Sequence, residues 1–134
     1  LVGSEMCIRD SSHLDDWVAL RRQNAEQYAN ALTNHPSLNA PKVRPGSQHA
    51  WHQYCIQTSE PDKFVTFLDE RGIDARRYYT VPCHRQHVYS KHPQFTTTLA
   101  ETEKASSSLV AIPVMHGLTF SERQRIIEAL TEYE

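Results

Sequence analysis

The sequence predicts a small α/β sandwich, about three strands in a short sheet with helices packed on one face. Three observations predict it. Apolar residues recur at three- and four-residue spacing in two long stretches, as a helix buried on one side requires. Three shorter stretches are rich in β-branched and aromatic residues and tend to alternate. Finally, 134 residues of which 39% are hydrophobic hold material for one modest core and little more.

Taken in order, Leu14, Trp17, Val18, Ala25, Tyr28, Ala29 and Leu32 form one apolar stripe, with Arg21, Arg22, Gln23, Glu26 and Asn30 on the other faces. This predicts a long amphipathic helix over 14–32. Asp15 and Asp16 suit the positive end of its dipole, and Pro36 and Pro41 bar its continuation. Asn34 to Gln48 then reads as a connector. His49 to Thr58 predicts a first strand, on which His49 and His52, three apart, point to opposite faces. Pro61 opens a short helix carrying Phe64, Phe67 and Leu68, and Gly72 closes it in the left-handed conformation that glycine adopts freely. Ile73 to Val81 predicts a second strand ended by Pro82. Cys83 to Thr98, with Pro93, reads as a polar ordered loop, and Leu99 to Ser106 as weakly helical. Ser107 to Val114 predicts a third strand. Thr119 and Glu122 form a capping box for a last helix with Ile126, Ile127 and Leu130 on its buried side.

Composition excludes several classes of function. The 14 basic and 16 acidic residues nearly cancel, leaving a formal charge of -2, so no large field draws the chain to nucleic acid or to an anionic membrane. No apolar run approaches the roughly 20 residues that span a bilayer. Mean hydropathy is -0.61. Cys7, Cys55 and Cys83 are odd in number and lack CxxC spacing, which argues against a disulfide framework and fits a reducing cytoplasm. No basic start followed by an apolar run marks a signal peptide. Residues 1–11 read as foreign to the rest: Glu5-Met6-Cys7-Ile8-Arg9-Asp10-Ser11 resembles the conceptual translation of a transposon-end sequencing adapter. On that expectation Cys7 is spurious and the natural polypeptide is cut on its amino-terminal side.

The densest polar constellation runs from Arg76-Arg77-Tyr78-Tyr79 through Thr80, Val81 and Pro82 to Cys83-His84-Arg85-Gln86-His87. Arginine offers a planar fork of donors to carboxylate or phosphate, and tyrosine and histidine add single hydrogen bonds, so the group suits an anionic, hydroxyl-rich ligand. The same arginines and tyrosines equally suit the solvent face of an edge strand. Cys83, His84, His87 and His92 lack the spacing of a zinc site, since adjacent residues seldom ligate one ion. With four glycines there is no phosphate loop and no nucleophile elbow. Lys42, Lys63, Lys91 and Lys104 fall on polar surfaces, where a Schiff-base amine would not be activated.

Six motifs in order then carry a resemblance. They are Arg21-Arg22 with Ala25 and Tyr28; His49-Ala50-Trp51-His52-Gln53-Tyr54; Gly72-Ile73-Asp74-Ala75-Arg76 leading to Tyr79, Pro82 and His84-Arg85-Gln86; Ala100-Glu101; Leu109 with Ile112-Pro113; and Gly117-Leu118-Thr119. From about Leu14 to the end the chain resembles the carboxy-terminal part of the pyridoxal-phosphate-dependent sugar aminotransferases of the DegT/DnrJ/StrS type. The resemblance implies that residues 12–134 are the small domain of a fold-type I enzyme. The large domain, with the cofactor lysine and the pyridoxal phosphate site, is missing. It implies transfer of an amino group from a donor, glutamate in many members, to a nucleotide-linked keto-sugar. It implies His52, Arg76, Tyr79 and His84 as substrate-facing residues, a homodimer when full length, and no catalysis by this piece alone. Thr80 and His87 stand where the family often has proline, and Cys83 where it has an aliphatic residue, so the turn before His84 differs. Two alternatives stay open: a sugar 3-dehydratase branch, in which histidine replaces the lysine, and a non-catalytic binding module.

Overall fold

The computed structural model describes residues 2–89, 91–92 and 97–134. Their order is α1 (Val2–Ser11), α2 (Leu14–Ala31), β1 (Leu38–Asn39), β2 (Tyr54–Thr58), α3 (Pro61–Asp69), α4 (Ala100–Ser108), β3 (Leu109–Ile112) and α5 (Phe120–Glu132). The three strands form one antiparallel sheet in the order β1-β2-β3. Pairing of Tyr54 with Ile112 and of Ile56 with Val110 puts these four side chains on one face, because alternate residues share a face. That face is the core, packed with Tyr28 of α2, Phe64 and Leu68 of α3, and Ile126 and Leu130 of α5. Complete burial of Phe64 and of Leu68 stabilises the domain by about 1.5–3 kcal/mol each. The predicted α/β class with a three-stranded sheet is present; α2, α3 and α5 supply the helical core residues, while Lys104 and Ser108 of α4 border the opposite face beside Cys55 and Gln57.

Local chemistry explains most boundaries. α2 begins with Asp15 and Asp16 in its first turn and stops at Ala31. Beyond it Asn34 adopts a φ of +60°, and His35 Nδ1 accepts from the amides of Ser37 and Leu38 (3.3 and 3.0 Å). Pro61 occupies the first turn of α3, and Gly72 has a φ of +68°. The capping box of α5 is complete: Thr119 Oγ1 accepts from Glu122 N (3.3 Å), and Glu122 Oε2 accepts from Thr119 N (2.7 Å).

Three expectations about strands are corrected. Ile73 to Val81 is not a strand: it touches the sheet through a single bridge, Arg76 to Ala111. Its alternation is real, with Ile73 and Ala75 buried, but Tyr78 and Tyr79 meet no core and stay exposed. The missing third strand is instead Leu38–Asn39, inside the proline-bounded connector, where Leu38 is buried as an edge residue. The first strand is shorter than His49 to Thr58. His49 Nδ1 accepts from Trp51 N (2.8 Å) and Trp51 has a φ of +49°, so the chain turns before Tyr54 and the two histidines are not on opposite faces of a strand. The last strand is shortened too, because α4 continues through Ser108. Cys83–Arg85 and His87–Tyr89 are single 3-10 turns within the polar loop. Pro93 and the side chain of Cys7 lie outside the described residues. No helix among the described residues is long and apolar enough to cross a membrane.

Candidate functional site

A hollow of about 280 Å³ opens where β3 runs out into Pro113–Met115. Three separate segments bring side chains to it: Arg21 from α2, His52 from the turn before β2, and Arg76 with Tyr78 from the segment bridged to β3. Each is held by its backbone. Arg76 N donates to Ala111 O (2.9 Å) and Ala111 N to Arg76 O (2.7 Å), fixing where the guanidinium starts. Trp51, almost fully buried, stacks between His49 (4.2 Å between ring centroids) and Tyr54 (5.2 Å). That packing holds Trp51 in a left-handed conformation costing about 1–2 kcal/mol, and leaves the next residue, His52, exposed on the hollow.

The Pro113–Met115 wall is anchored from the helical layer. Tyr28 OH donates to Pro113 O (3.0 Å), and Asn24 Nδ2 donates to Met115 O (3.0 Å). Arg123 Nη1 of α5 donates in turn to Asn24 Oδ1 (3.1 Å). Burial pushes the Tyr28 and Tyr54 hydroxyls well above the ordinary phenol range, so both stay neutral; Tyr28 donates to Pro113, and the buried Tyr54 hydroxyl has no hydrogen-bond partner among the described residues.

Of the sequence-predicted residues, His52 and Arg76 meet in this hollow. Tyr79 is beside it, its ring 5.3 Å from that of Tyr78, and is exposed. His84 is brought to a different place. Its side chain is nearly buried, and Nε2 donates to Glu103 Oε1 of α4 (3.0 Å), which also accepts from Arg85 Nε (3.0 Å) and Nη2 (2.8 Å). These bonds, that from His84 foremost, pull the Glu103 carboxyl down to about 2. The 3-10 turn that carries His84 is thereby fastened to α4.

The arginines divide by role. Arg77 is a tie: Nη1 pairs with Asp62 of α3 (2.8 Å) and Nη2 donates to Ser107 O (2.8 Å). Arg22 is another, donating to His49 O and to Gln48 Oε1 (3.1 Å each). Arg21 makes no such bond among the described residues, and its Nε is buried. Sequence reasoning missed Arg21 and Glu103 as site residues. For Arg21 a signal existed: Trp17, Arg21, Asn24 and Tyr28 lie four, three and four apart, so two polar residues share the buried stripe. The resemblance drew attention to Glu101, and nothing local distinguishes Glu103 from it.

A larger concavity, about 670 Å³, opens on the other sheet face, against Cys55, Gln57, Lys42 and Lys104. It gathers no histidine or arginine. Lys42, Lys63, Lys91 and Lys104 are all exposed, and no group of three or more potential metal ligands occurs among the described residues.

Over residues 6–131 the chain matches the DegT/DnrJ/EryC1/StrS aminotransferase family. It is 32% identical, over 90% of its length and 33% of the relative's, to a pleiotropic regulatory protein of Geobacillus stearothermophilus. It is 28% identical, over 91% of its length and 32% of the relative's, to dTDP-3-amino-3,4,6-trideoxy-alpha-D-glucose transaminase of Streptomyces venezuelae. The crystal structure of S. venezuelae DesV in complex with a ketimine intermediate superimposes with a TM-score of 0.81 at 27% identity, over 90% of this chain and 33% of that one. The chain thus spans about a third of the length of the relatives it matches.

Proposed function

The chain belongs to the DegT/DnrJ/EryC1/StrS aminotransferase family, and on that premise we propose that residues 12–134 are the small domain of a nucleotide-sugar aminotransferase. The whole protein moves an amino group from a donor, glutamate, to a nucleotide-linked keto-sugar. Pyridoxal phosphate, on which this family depends, supplies the electron sink when bound. Its lysine belongs to the large domain outside this chain, consistent with the four exposed lysines here. This chain contributes one wall of the cleft. His52 and Arg76 bind and orient the anionic substrate, Tyr79 stands at the rim, and His84 acts from the neighbouring turn braced by Glu103. The full-length enzyme is a cytoplasmic homodimer, and the piece alone is inactive.

The observation that carries this reading is the meeting of His52 and Arg76 in one hollow, on a chain that matches the family almost end to end. Residues 1–11 are read as adapter-derived. The likeness of Glu5 to Ser11 to that translation supports this, and so does the exposure of Ile8 (73%) on a helix that adds no described residue to the core.

The test begins with the genomic coding sequence upstream of Ser12. A large domain with a lysine at the cofactor position, and an amino group replacing the keto oxygen of a nucleotide sugar when the whole protein is given glutamate, are the expected results. A histidine there with a deoxygenated sugar product means the dehydratase branch instead. A complete gene beginning near Ser12 means a free-standing module. The 134-residue chain offers a quicker check: as part of a larger enzyme it leaves apolar surface uncovered and binds a hydrophobic dye in the folded state, whereas a self-sufficient module does not.

A further inference from the structure

We propose that Arg21 and Arg76 together form an oxyanion clamp, and that its ligand is the diphosphate of the substrate; the identity of that substrate rests on the function proposed above.

Arg21 is half-buried on α2, with its Nε closed off and no hydrogen bond to a described residue. The neighbouring arginine, Arg22, is spent on the 48–49 connector, and Arg77 on α3 and α4. A guanidinium held against apolar surface without a partner is costly unless something else neutralises it. Arg21 lines the same hollow as Arg76, reached from a different element. Arg76 is oriented by its backbone bridge and by Asp74, whose Oδ1 takes the Nε edge at 2.8 Å and leaves the two Nη groups for a ligand.

Among the described residues Asp74 is the one acidic residue lining the hollow, against two arginines, and His52 and Tyr78 line it as well. Pro113 and Met115 form an apolar wall beside these charged groups. Size decides how much of a ligand enters. About 280 Å³ lies at the lower end of the roughly 300–1,000 Å³ that whole ligands occupy, so the hollow takes a charged head rather than an entire nucleotide sugar. Two forks approaching from separate elements match an anion with oxygens on two centres better than a single carboxylate.

The experiment follows the arginine Nε–Hε signals of the ¹⁵N-labelled 134-residue chain at low ionic strength, titrated with inorganic pyrophosphate and, separately, with glutamate. Sodium chloride serves as the screening control. Pyrophosphate is expected to move the Arg21 and Arg76 signals together and saturably. Arg21→Gln weakens binding about tenfold or more, and Arg44→Gln, at an exposed connector arginine, leaves it unchanged. Should Arg21→Gln misfold, Arg21→Lys keeps the charge without the fork and is expected to fall between the two. A folded Arg21→Gln chain that binds pyrophosphate like the original, or an Arg21 signal that neither anion moves, overturns the proposal. Glutamate moving both signals while pyrophosphate moves neither overturns the diphosphate assignment and gives the clamp to the amino donor. If the upstream gene encodes no cofactor domain yet pyrophosphate still binds through Arg21, the aminotransferase reading fails and the clamp stands.

Discussion

Replacing Asn24 by alanine tests how the helical layer supports the hollow. Asn24 is 2% exposed and makes two bonds at once, donating to Met115 O at 3.0 Å and accepting from Arg123 Nη1 at 3.1 Å. The substitution removes both and leaves the Met115 carbonyl only the long bond from Leu118 N (3.5 Å). A neutral hydrogen bond is worth about 0.5–1.5 kcal/mol and one to a charged group about 1.5–3. Arg123 is only half-buried and regains water, so the upper part of that range does not apply. The expected loss is about 2–3 kcal/mol. For a domain of this size, at about 3–5 °C per kcal/mol, the melting temperature falls by about 10 °C. Thermal unfolding followed by circular dichroism gives the shift, and urea unfolding is expected to move its midpoint at unchanged slope. Hydrogen exchange adds a local readout, with protection lost first around residues 114–116. A melting temperature within about 2 °C of the original would mean that the β3 register and Tyr28 hold the wall and that Asn24 does not support it.

Other changes have equally definite outcomes. Glu103 is held down to about 2 by His84 and Arg85, so its contribution to stability is full above the ordinary carboxylate range near 4.5 and is lost as pH falls toward about 2. Glu103→Gln should therefore lower the melting temperature at pH 6, and the gap to the original chain should close on acidification; a gap that stays constant down to pH 2.5 contradicts the pairing. Thr119→Ala breaks the capping box and is expected to cost about 1 kcal/mol, read as faster amide exchange in the first turn of α5 with the rest of the helix protected. Gly72→Ala costs about 1 kcal/mol through its φ of +68° rather than through crowding, since the nearest heavy atom to the new methyl group is Arg125 Nη1 at 3.9 Å. A stabilised variant in urea would show that the turn after α3 relaxes.

Residues whose neighbours in sequence are also their partners were readable. The stripe of α2, the proline start of α3, the Gly72 turn and the Thr119–Glu122 box all depend on contacts within a few positions, and all four are present. Ile73 to Val81 misled because burial of Ile73 and Ala75 produces the same alternation as a strand, while a strand also keeps its backbone paired over several residues and here Arg76 alone pairs, with Ala111. Leu38–Asn39 escaped because two residues between prolines carry no periodicity. At the candidate site, His52 and Arg76 were legible as ligand-type residues, and Arg21 was hidden among the polar residues of a helix.

From local pattern alone came the α/β class, the helices with their caps, and the motif order that marks the family. Folding decided which polar groups meet. Asn24 and Met115 stand 91 positions apart, His84 and Glu103 are 19 apart, and Arg21 reaches the hollow of Arg76 only because α2 and β3 share one core. Propensity and capping act over a single turn, whereas a binding site is assembled by burial, which pairs residues by shape and leaves no periodic trace in the chain.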